Sequence, residues 1–150
     1  MSTSIADARS ARTMAVGLTP FGARLMVVAA MAAAAAAGFV LSGHSGAADP
    51  ALTRLLRAMA VIKAFIAAGA GAALYWRLAV PIGPWRLAAY AAAGAAMAAG
   101  PGVIWNMSHI AAGAALLHGG LAATIFLLWR DPGMAARLEQ AIAQRNRKNI

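Results

Sequence analysis

The chain has 150 residues, of which 62% are hydrophobic and 11% charged. A soluble domain of this size needs roughly 25% charged residues to cover its surface, so much of this surface meets lipid instead. The net charge of +9 does not point to nucleic acid, because the basic residues lie at the edges of apolar runs, where they act as topology signals and headgroup contacts. The chain has no cysteine, which excludes thiolate metal sites, iron–sulfur clusters, thiol catalysis and disulfides.

Residues 1–20 are small and polar, with Arg9 and Arg12, and read as a tail that is disordered or loosely helical at a membrane surface. The first apolar run, 21–41, is long enough to cross a bilayer and exceeds the apolar core of an ordinary signal peptide. It reads as a retained helix; the rival is a cleaved signal ending near Ala47-Ala48. A turn-rich loop, Ser42-Gly43-His44-Ser45-Gly46, follows. Asp49-Pro50 then gives a helix start: a capping acceptor followed by a proline whose missing N–H costs nothing there.

The second helix is expected over 51–78, with Arg54 and Arg57 at its start, Lys63 in its apolar part and Tyr75-Trp76-Arg77 at its far interface. After the stiff Pro81-Ile82-Gly83-Pro84 connection, a third helix is expected over 85–105. Gly100-Pro101-Gly102 should kink or interrupt it, since proline removes a backbone donor. Asn106-Met107-Ser108 turns the chain, with Ser108 as the expected cap of a fourth helix over 108–129. Residues 131–150 form a basic amphipathic tail, in which Arg137, Arg145, Arg147 and Lys148 suit anionic lipid headgroups.

The fold class is therefore all-α and polytopic: four transmembrane helices in two hairpins. One side of the bilayer receives most of the arginines, and only Arg54 and Arg57 fall on the other. The positive-inside rule then places both termini in the cytoplasm of a bacterial inner membrane.

The candidate chemistry is sparse. His44 and His109 should lie at the outer face. If the first and fourth helices are neighbours, they could form a metal site with Met107, since imidazole and thioether suit copper. His118 lies about 13.5 Å deeper than His109 and about 180° around the helix, so the two cannot share a ligand site. An ionisable residue near mid-membrane is a functional candidate, as a haem b ligand or otherwise; the plainer alternative is a hydrogen bond to a neighbouring helix. Lys63, about 9 Å further in than Arg57, either snorkels outward or meets an anion such as a haem propionate. No carboxylate lies in any apolar run to pair with it.

The first two helices, with Lys63 in I-K-A-F-I-A-A-G and Arg77 at the far end, resemble the copper-resistance D family of bacterial inner-membrane proteins, which carry a lysine in a comparable helix. The segment G-P-G-V-I-W-N-M-S-H and the fourth helix depart from that pattern. The resemblance implies copper handling as an alternative function.

Small residues give the later helices close-packing faces: Gly69 and Gly71, Gly94 and Ala98, Gly113 and Gly120. No acid pair, nucleophile motif or phosphate loop is present. The leading expectation is a non-enzymatic accessory subunit that docks on other membrane proteins or on itself. A haem- or copper-binding protein using His44, His109 or His118 is the alternative, and a small transporter is the weakest reading.

Overall fold

A computed structural model of the chain describes residues 19–43, 49–107, 109–133, 139 and 142–143. Four helices make up the described chain: α1 (Pro20–Leu41), α2 (Pro50–Arg77), α3 (Pro84–Trp105) and α4 (Ile110–Trp129). All four are long and apolar enough to cross a membrane. Their bounds fall within about two residues of those expected from apolar runs, prolines and caps in the sequence. Most of the 131–150 tail, the 1–18 segment, His44 and Ser108 lie outside the described residues.

Helix starts follow local chemistry. The Thr19 hydroxyl accepts from the Gly22 N–H at 3.2 Å, and the Asp49 carboxylate accepts from the Ala51 N–H at 2.9 Å, each just before a proline. For α4 the cap position is His109, and no described side chain caps it; the expected cap, Ser108, lies outside the described residues. The turn into α4 includes Met107 at φ +58°, a conformation unfavourable for a side chain of this kind.

Gly100-Pro101-Gly102 does not interrupt the helix: α3 continues through Pro101 to Trp105. The reason is packing. α3 lies between α1 and α4, and the residues flanking Pro101 touch both neighbours, while α1 and α4 scarcely meet. A Cβ placed on Gly100 would lie 2.6 Å from the Gly113 carbonyl oxygen of α4. On Gly102 it would lie 2.9 Å from the Phe39 nitrogen of α1. Gly38 of α1 and Gly120 of α4 are equally tight, against Ala99 and Met97. Backbone therefore meets backbone on both sides of α3, and neighbouring helices hold a segment that proline would otherwise loosen.

α2 packs mainly on α3 and only lightly on α1 and α4. The buried apolar residues join these surfaces: Val27, Leu74, Leu78 and Leu87 near one end, and Ala67, Met97 and Leu117 near the middle.

Gly120→Leu should lower the stability of the detergent-solubilised bundle by about 2 kcal/mol, because the obstacle is rigid backbone. Gly69→Leu, where a new Cβ meets nothing within 4 Å, should leave the thermal melt unchanged. Equal melts for the two variants would contradict the close approach at Gly120.

Candidate functional site

The described residues place their densest polar chemistry at the end of the bundle where α2 stops, α3 begins and α4 ends. Arg77, the last residue of α2, is 3% exposed. Its Nε donates to Asp131 Oδ2 and its Nη2 to Asp131 Oδ1, each at 2.7 Å, giving a two-pronged ion pair. Tyr90 of α3 donates its hydroxyl to Asp131 Oδ2 at 2.8 Å, with the Leu127 carbonyl 3.3 Å away as a second acceptor. Half-exposed Arg86 stands 3.8 Å from Asp131 Oδ1. The carboxylate thus ties three helices together.

The local sequence builds this arrangement. Asp131 directly precedes a helical stretch that begins at Pro132-Gly133, and its carboxylate accepts the Gly133 N–H at 3.0 Å as a cap. A Cβ on Gly133 would fall 2.7 Å from Arg77 Nη2, so glycine makes room for the guanidinium. Burial pushes the Asp131 carboxyl up. The Arg77 guanidinium, the Tyr90 hydroxyl and the Gly133 N–H more than offset this and hold it below its ordinary value of 3.8. One guanidinium nitrogen, Arg77 Nη1, is buried without a hydrogen-bond partner among the described residues. Such a group is costly, and a cluster of this kind fixes geometry more than it adds stability.

Hydropathy puts Arg77 at an interface and ends the membrane part at Arg130-Asp131-Pro132-Gly133, but it does not join them. The signal was available in scarcity. Among four acidic residues in the chain, Asp131 alone directly follows a spanning helix, in a sequence that favours a carboxylate-to-backbone turn.

At the opposite end, Asn106 donates to the Phe39 carbonyl and, at 2.8 Å, to the Ser42 hydroxyl, fastening the end of α3 to the end of α1. His109 is exposed and lines a shallow groove with Leu41 and Ser42. Met107 is two residues earlier in the turn. His118 is exposed near the middle of α4, with Nδ1 2.7 Å from the Ala114 carbonyl oxygen. Lys63 is half-buried in the middle of α2. Among the described residues no three histidines or acids come together as a metal site. Compared with known proteins, the chain matches no family model, no curated protein and no solved structure.

Asp131→Asn should cost about 3 kcal/mol, because it leaves a buried guanidinium without its counter-charge. The wild-type protein should also show an acid limb. Since the folded carboxyl titrates below 3.8, its contribution is complete above that pH and is lost as pH falls through the lower folded value. Stability measured against pH should show this limb in the wild type and lose it in Asp131→Asn. An identical acid profile in both proteins would contradict the coupling.

Proposed function

We propose that the chain is a non-enzymatic accessory subunit of a larger assembly in a bacterial inner membrane, docking through an outward small-residue face of α4. One observation carries the reading. His118 stands exposed near mid-helix, and because a carbonyl can only accept, its Nδ1–H must be the donor to Ala114. In the neutral ring Nε2 is then an acceptor with no partner among the described residues. A lone polar atom in hydrocarbon is costly, and a hydroxyl or amide donor on a neighbouring transmembrane helix removes that cost. Gly119 beside it has open space where a Cβ would stand, and Ala111, Ala115 and Ala122 on the same side are exposed, so another backbone can approach.

The orientation rests on charge. The Arg77 end carries Arg24, Arg77, Arg86 and Arg130, the other end Arg54 and Arg57, which favours the Arg77 end, and with it both termini, in the cytoplasm. The basic tail beyond residue 131 is then suited to anionic lipids on that side.

The alternative, a haem b or copper protein, draws on the same tautomer. A ligating histidine commonly donates its other N–H to a backbone carbonyl, as His118 does. A second ligand would have to come from a partner or a second copy of the chain, with His44, His109, Met107 and Lys63 as the remaining candidates from the sequence.

A photoreactive residue at Ala115 should cross-link to another polypeptide in native membranes, while one at Phe65, on the outward side of α2, should not. His118→Leu should reduce the Ala115 cross-link about tenfold, a loss of about 1.4 kcal/mol in docking, without moving the thermal melt. Absence of any cross-link at Ala115 would contradict docking by this face. A stoichiometric haem spectrum abolished by His118→Leu would favour the alternative.

A further inference from the structure

α1 and α2 both lean on α3 but have little contact with each other, and an open apolar groove runs between them. Val28 and Ala35 of α1, Ala64 and Ala68 of α2, and Pro101 and Gly102 of α3 are among its walls and floor, and its volume is about 660 Å³. The two ends differ. At one, Arg24 Nε donates to the Tyr75 carbonyl at 3.2 Å, with its guanidinium 4.6 Å from the Tyr75 ring, joining α1 to α2. At the other, Phe39 and Trp105 meet edge to face at 6.3 Å, and the Arg57 guanidinium lies 5.3 Å over the Trp105 ring. No carboxylate among the described residues pairs with Arg57.

We propose that this groove holds a resident phospholipid, with its phosphate at Arg57 and one acyl chain running past Trp105 between α1 and α2. Three observations converge on that occupant. The first is charge: the Arg57 guanidinium lies over Trp105 at the mouth of the groove, no described carboxylate pairs with it, and arginine binds a phosphate in a two-pronged manner. The second is volume. A methylene takes about the space of a liquid water, ~30 Å³, so the groove accommodates about 22 carbon equivalents, enough for one acyl chain. A transmembrane helix ~10 Å across and ~30 Å long occupies roughly 2,400 Å³ and would seat only an edge.

The third is depth. One leaflet of hydrocarbon is about 15 Å, which along α2 is about ten residues from Arg57, reaching Ala67. Over that distance Ala60, Ala64 and Ala68 recur every fourth residue and present a shallow wall to the groove. Hydrocarbon fills such a groove in any bilayer. What makes one lipid resident is the arginine at its mouth together with walls on three helices along its length. The site is independent of α4 and does not rest on the docking reading.

Native mass spectrometry of the full chain, extracted in mild detergent, tests the proposal. The wild type should retain about one phospholipid per chain. Ala64→Phe, which fills the groove, should abolish the adduct. Arg57→Ala should lower its occupancy at least about fivefold, the loss expected when a charged hydrogen bond worth about 1 kcal/mol or more is removed. Ile125→Ala, on the exposed side of α4, should retain the lipid, and helical circular dichroism should be the same in all four proteins. A lipid-free wild type, adducts unchanged in Ala64→Phe and Arg57→Ala, or a photoreactive residue at Ala64 that couples to another polypeptide would each overturn it.

Discussion

The close passage of α3 between α1 and α4 is the constraint on which the rest of this bundle depends. Between helices in lipid there is no hydrophobic force of the kind that collapses a soluble core, because lipid tails are as apolar as leucine. Cohesion must come from many atoms at van der Waals distance, and that requires backbones to approach. Gly38 and Gly102 permit it on one side of α3, Gly100, Gly113 and Gly120 on the other. With α3 fixed, α2 is left with one main neighbour, and the space between α2 and α1 becomes an open groove instead of an interface.

The polar contacts then gather where the helices end. Arg77, Tyr90 and Asp131 bind three helices at one end, while Asn106 ties α3 to α1 at the other. Both sets lie at or near the ends of the long apolar helices. The aromatic residues with arginines upon them, Tyr75 with Arg24 and Trp105 with Arg57, occupy the same two levels. Two ionisable side chains among the described residues break this arrangement, half-buried Lys63 in the middle of α2 and His118, exposed near the middle of α4, and the functional reading rests on the second.

Much of this fold is legible in the sequence because hydropathy and proline are local signals. Asp49-Pro50 and Trp85-Arg86 mark helix starts to within a residue or so, and Trp105 and Trp129 mark ends. What is not legible depends on neighbours. Gly100-Pro101-Gly102 reads as a kink or an interruption when seen alone, yet the segment stays helical between α1 and α4. Arg77 and Asp131 lie 54 residues apart, and no local pattern says that their helices end side by side. The candidate site is less legible still. A histidine at position 118 is visible as an oddity, but its exposure and its Ala114 partner belong to the packed bundle.

The most direct test of the packing order is a set of three spin-label distances, which the naturally cysteine-free chain makes straightforward. Phe21, Trp85 and Trp129 are each exposed and stand on α1, α3 and α4 toward the same end, so cysteines there carry labels without entering the core. With α3 in the centre, the distance between positions 21 and 129 should be the longest of the three pairs. A distance between 21 and 129 shorter than both 21 to 85 and 85 to 129 would place α1 against α4 and contradict the central position of α3.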